Sequence, residues 1–150
     1  MSTLDPKKLN EKIISLRKVI KKAKVHLFRH HVRAISKLKK LEKADNSVKI
    51  GRLEEELNAI KNIKPDLFSK MALVNTKTKN ELLTNLKGKT PEERVEAKLL
   101  FVPVFEKEID NFREKYPKWH QEVPFFLQRF GMIAKERKAK ASGEETIVHN

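Results

Sequence analysis

The 150-residue sequence contains no cysteine, only 4 glycines, and a single tryptophan and tyrosine. Without thiols there are no disulfides and no thiolate metal sites, a composition that suits a reducing compartment. With so little glycine there is no Gly-rich phosphate loop, and the chain suits a helical assembly. The longest apolar run before a proline is Leu99 to Val102, far too short to cross a bilayer. The opening residues MSTLDPKK hold no apolar signal core. No nucleophile constellation and no zinc spacing is present, so no catalytic role, cofactor, metal site or small-molecule substrate is expected.

One stretch lacks acid. Residues 7–43 carry 14 Lys and Arg against Glu11 and Glu42, which accounts for +12 of the whole-chain charge of +14. The remainder is close to neutral, with 15 basic and 14 acidic residues over 44–128. Concentrating charge in one element points to a polyanionic partner, nucleic acid above all. A solvated basic face kept for solubility is the bland alternative.

The same stretch reads as one helix over 7–43, free of internal Pro and Gly. Asp5 and Pro6 supply a start, the acid as N-cap and the proline where its missing N–H costs nothing. Leu9, Ile13, Leu16, Ile20, Ala23 and Leu27 step by four and three, the spacing of a continuous seam. Beyond Leu27 the seam is expected to shift to His31, Ala34, Leu38 and Leu41 through a stutter. Projection at about 100° per residue places Lys18, Lys22, Arg29, Arg33 and Lys40 in a row opposite the seam. These five are the candidate RNA-binding residues. A second apolar set, Ile14, Val25, Phe28, Val32 and Ile35, lies off the seam and is the candidate partner-binding surface. Either a partner or other helices of this chain cover it.

The expected architecture is all-α and elongated, because a helix of about 55 Å exceeds the roughly 40 Å breadth of a compact chain this long. A single domain is expected over 1–141. A second helix over 47–63 folds back antiparallel on the first, covering its C-terminal half. Lys64-Pro65 ends it, and Pro65 opens a short turn through Met71. Residues 74–89 read as a flexible connector with a weak helix around Glu81 to Leu86, closed by Gly88. Thr90-Pro91-Glu92-Glu93 is a capping signal for helices over 91–115 that Pro103 interrupts. Their stripe, Val95, Leu99, Val102, Phe105, Ile109, Phe112 and Tyr116, keeps register and is expected to cover the N-terminal half of the first helix. A C-terminal helix over 124–141 and a disordered tail over 142–150 complete the reading.

Other polar groups invite chemistry without supplying it. His26 and His30 stand four apart but lack a third ligand. With His31 they read as polar surface or phosphate contacts whose charge follows pH. Glu54, Glu55 and Glu56 are consecutive, so they point around a helix as a solvated face. Between Tyr116 and Phe130 the chain is rich in aromatics, which serve as core or stack on bases. Binding to a membrane surface is disfavoured, because the basic helix has no clean apolar opposite and no anchoring Trp.

A family resemblance rests on particular residues. The basic helix with Leu16-Arg17-Lys18, Lys21-Lys22, Arg29 and Val32-Arg33 comes first. Arg52-Leu53-Glu54-Glu55-Glu56-Leu57-Asn58-Ala59-Ile60-Lys61, running into Ile63-Lys64-Pro65-Asp66, is the most specific part. Glu93-Arg94-Val95 through Ile109-Asp110 adds to it. Together they resemble the N-terminal region of the serum response factor-binding protein family, which includes a yeast bud-site-selection protein. The resemblance implies a nuclear and nucleolar, non-enzymatic factor of the small-subunit processome, meeting pre-ribosomal RNA and processome proteins during 18S ribosomal RNA maturation. It also implies, as the alternative, a transcription cofactor that binds serum response factor.

Overall fold

Asp5 begins the first helix as an N-cap: its Oδ1 accepts the Lys8 N–H at 2.8 Å, and Pro6 is the first helical residue. In the computed structural model, which describes residues 3–41, 43, 45–132 and 139, this helix, α1, runs unbroken over Pro6–Leu41. Its 36 residues extend about 54 Å at 1.5 Å each. The other elements are α2 (Asn46–Asn62), α3 (Pro65–Val74), α4 (Lys79–Thr84), α5 (Pro91–Leu99) and α6 (Pro103–Lys115). A further helical run, α7, covers 119–132. Every regular element among the described residues is a helix.

The starts and stops follow from local chemistry. Asn46 donates its side-chain amide to the Leu38 carbonyl at 3.0 Å, tying the start of α2 to α1 at the hairpin. Lys64 is extended (φ −86°, ψ 119°), as the residue before a proline must be, and Pro65 opens α3. That helix continues past the expected end at Met71 to Val74, burying Phe68, Ala72 and Leu73. Thr78 caps α4 inside the stretch read as a connector, accepting the Glu81 N–H. Gly88 turns the chain at φ +79°, a conformation that costs glycine little. Thr90 then accepts the Glu93 N–H at 3.2 Å and starts α5. Residues 100–102 bend before Pro103 begins α6, and all seven apolar residues of the stripe from Val95 to Tyr116 are buried. The last helix starts at 119 rather than 124. Its expected extension over 133–141, residue 139 apart, and the tail 142–150 lie outside the described residues.

All six seam residues from Leu9 to Leu27 are buried, and α2 lies along the C-terminal half of α1. The N-terminal half is covered by α3 and α6, marked by the Arg17–Asp66 and Lys12–Glu108 ion pairs. The expectation that both Pro-separated helices would lie there holds for α6 alone. Arg94 and Lys98 of α5 instead reach Glu56, which draws α5 against α2. Beyond Leu27 the seam also departs from expectation. His31 is buried but the next buried residue is Ile35, while Ala34 and Leu38 are half-buried and Leu41 is 56% exposed. Two successive steps of four turn the buried line about 40° each around α1, toward the side that α2 and α5 occupy.

Candidate nucleic-acid interface

The five cations of the row, Lys18, Lys22, Arg29, Arg33 and Lys40, are all exposed and lie opposite the buried seam. None forms an ion pair among the described residues. Their spacing of 4, 7, 4 and 7 repeats every 11 residues, which drifts little on a straight helix, and the row spans about 33 Å. Lys21, His26 and His30 flank it, and with Lys18, Lys22, Arg29 and Arg33 they border a shallow trough along α1 that also takes in Val25. Like charges four apart on a helix cost roughly 0.2–0.5 kcal/mol per pair, so the row is arranged for a counter-charge that the described residues do not supply.

Cations nearer the core are engaged. Lys12 Nζ lies 2.8 Å from Glu108 Oε2. Arg17 meets Asp66 through two bonds, Nε to Oδ1 at 2.9 Å and Nη2 to Oδ2 at 2.8 Å, which hold the Asp66 carboxyl below its usual range. Lys24 donates to the Ile63 carbonyl, and burial lowers its pKa.

The proposed partner surface divides. Ile14, Val25 and Val32 are 44–46% exposed and form a line beside the basic row. Ile35 is core at 8% exposure, because the turned seam brings it under α2. Phe28 is half-buried against the core, with Lys61 Nζ 5.7 Å from its ring centroid.

His31 is likewise no surface group, being 1% exposed, whereas His26 and His30 are exposed. Its Nδ1 faces the Leu27 carbonyl at 3.1 Å and its Nε2 faces Glu56 Oε1 at 2.9 Å. Both partners are acceptors, so the ring satisfies both only when each nitrogen donates a proton. Glu56, 2% exposed, also receives Arg94 Nε at 3.1 Å and Lys98 Nζ at 2.5 Å. Burial pushes its carboxyl up, but the bonds from His31, Lys98 and Arg94, with the charge of Lys98, outweigh burial and hold it at about 2. The solvated face expected for the three glutamates is therefore real for Glu54 and Glu55 and wrong for Glu56. A signal was present: Glu56 stands three after Leu53 and four before Ile60, on the buried stripe of its helix.

The aromatic stretch mostly serves packing. Tyr116 and Val123 are buried, Trp119 lies under the Arg113 guanidinium at 3.9 Å, and Phe126 and Phe130 pack on the core. Only Phe125, at 55% exposure, faces outward among these rings. Among the described residues, no three His, Asp or Glu side chains converge to hold a metal ion, and no helix is long and apolar enough to cross a membrane.

With this arrangement in view, comparison with curated proteins is informative. The human serum response factor-binding protein 1 is 31% identical over 147 residues, 95% of this chain and 32% of the relative. Its counterpart in Xenopus tropicalis is 33% identical over 111 residues, 71% of this chain and 21% of the relative. This chain belongs to the serum response factor-binding protein family. The rat protein of the same name is 30% identical over 110 residues, covering 70% of this chain and 25% of the relative. The chain thus spans a third or less of the length of these family relatives. No protein-family model and no solved structure matches it. Two of the segments that carry the family resemblance make contacts between helices here. Asp66 of Lys64-Pro65-Asp66 holds Arg17 at the surface, and the buried Glu56 joins α2 to α1 and α5.

Proposed function

We propose that this family member is a non-enzymatic RNA-binding factor whose contact surface is the outer face of α1. The observation that carries the reading is the row Lys18, Lys22, Arg29, Arg33 and Lys40: five exposed cations in line, without acidic partners among the described residues. Such a row meets phosphates as charge pairs and reads no sequence. The family resemblance extends this to assembly of the small ribosomal subunit, in the nucleus and nucleolus, with the RNA being a ribosomal precursor and the protein neighbours those of the processome. Ultraviolet crosslinking in cells followed by sequencing of the attached RNA tests it. Dense crosslinks to ribosomal RNA precursors, lost when the five residues are changed to Gln, are expected. A folded, nuclear protein that yields no RNA overturns the reading.

A second reading is favoured by one observation and by the relatives' name. Ile14, Val25 and Val32 form an exposed apolar line beside the basic row, a surface suited to a protein partner such as serum response factor. A complex that survives high salt and is lost on Val25→Asp or Val32→Asp, with the domain still folded, is its signature. Phe28 and Ile35 do not serve this test, since their packing ties them to stability.

A further inference from the structure

A second cationic surface lies away from the row, in a cleft between the C-terminal part of α1, α2, α5 and the segment 83–88. Its volume is about 550 Å³, within the 300–1,000 Å³ usual for small-ligand sites. Four half-buried leucines from three segments, Leu38 of α1, Leu53 of α2, and Leu83 and Leu86 of the 83–88 segment, give it an apolar floor. Around them stand Lys49 and Arg52 of α2, Lys87 of the turn, and Arg94 and Lys98 of α5. The single carboxylate there, Glu56, already takes Arg94, Lys98 and His31. Lys49, Arg52 and Lys87 are exposed and have no ion pair among the described residues. Leu38 projects from the seam side of α1, opposite Lys40, so the cleft and the row are separate surfaces.

We propose that this cleft binds one or two nucleotides of single-stranded RNA, with an unpaired base on the leucine floor and its phosphates on Lys49, Arg52 and Lys87. The inference rests on the RNA-binding reading and adds to it a strand preference that the row alone does not give. A row of point charges on a helix accepts duplex and single strand alike. A concave site with an apolar floor accepts only a base that is splayed out of pairing. The Arg52 guanidinium adds a flat surface on which a base can stack. No base-edge reader is required, so the site tolerates any sequence. An acidic peptide shares the charge, but its carboxylates have no apolar face to set on the leucine floor, whereas a nucleotide brings a flat base and its phosphate together.

The test compares two variants of the full chain on two probes, a labelled ten-nucleotide oligouridylate and a 20-base-pair RNA duplex. The cleft variant is Lys49→Gln, Arg52→Gln and Lys87→Gln, all exposed positions whose replacement leaves the helical signal and melting temperature unchanged. The row variant carries Gln at the five α1 positions. The cleft variant is expected to lose about tenfold or more in oligouridylate affinity, from three lost phosphate contacts, and less than about threefold on the duplex. Uridine monophosphate at millimolar concentration is expected to shift the methyl resonances of Leu53, Leu83 and Leu86. Unchanged oligouridylate affinity in the cleft variant overturns the cleft while RNA binding stands. So does a row variant that loses both probes completely while the leucine methyls stay still. Absence of binding to either probe by the unmodified chain overturns both readings. Leucine shifts produced by polyglutamate and not by the nucleotide make the cleft a protein-docking site and end the proposal.

Discussion

Lys12, Arg17 and Lys24, on the flanks of the buried seam, each hold a partner on another part of the fold, whereas Lys18, Lys22, Arg29, Arg33 and Lys40 on the outer side hold none among the described residues. Arg94 and Lys98 resemble the first group, converging with His31 on one buried carboxylate. The difference shows that a net charge of +14 is not one property. Inner cations join α1 and α2 to the helices packed against them. Outer cations contribute nothing to that arrangement and mildly oppose the helix that carries them.

The sharpest break of this comparison is removal of the inner carboxylate. Glu56→Gln leaves charged groups without a counter-charge in a buried setting, which costs on the order of 3–5 kcal/mol, read as a fall in the urea midpoint. Acid reaches the same group without mutation. The Glu56 pKa of about 2 lies below its ordinary 4.5, so the folded state favours the ionised form. Its contribution is complete above pH 4.5 and is lost as pH falls toward 2. The shift corresponds to about 3 kcal/mol. Urea titrations between those pH values are expected to show this loss in the unmodified chain and a flatter profile in Glu56→Gln.

Apolar residues of α1 sharpen the same contrast. Ile35→Ala removes buried volume and is expected to cost about 2 kcal/mol, whereas Val32→Ala, on the exposed line, changes stability by about 0.5 kcal/mol or less. Thermal melts of the two variants check the division of the set into core and surface. Replacing the five outer cations by Gln acts in the opposite direction. Three like-charge pairs four apart, Lys18 with Lys22, Arg29 with Arg33 and Arg33 with Lys37, are relieved, so stability stays level or rises by up to about 1.5 kcal/mol.

How much of this was legible in the sequence depends on the range of the interaction. The seam from Leu9 to Leu27, the Asp5-Pro6 start, the Thr90 cap and the break at Pro103 are set by neighbours within one or two turns, and each stands where the spacing put it. The shifted seam already held His31, whereas the burial of Ile35 and Glu56 depends on which helix crosses α1 beyond Leu27. Periodicity alone offered Ala34 and Leu41 there, because an apolar residue and a half-covered one are alike to a repeat. The outer row was visible because it needs no partner from elsewhere in the chain. Its neighbouring apolar set was read too broadly, since Phe28 and Ile35 belong to a seam that turns. The leucine-floored cleft joins residues from α1, α2, the 83–88 segment and α5, and nothing local in any of them announces it.

The central claim is that the outer row is the RNA-facing surface, and the salt dependence of binding to a duplex RNA addresses it most directly. On a duplex each neutralised phosphate adds nearly one unit to the log–log slope. The chain with Gln at residues 18, 22, 29, 33 and 40 is expected to keep its fold and lose about 4.5 units of slope. The same slope in both proteins would contradict the claim and transfer RNA binding, if present, to another face.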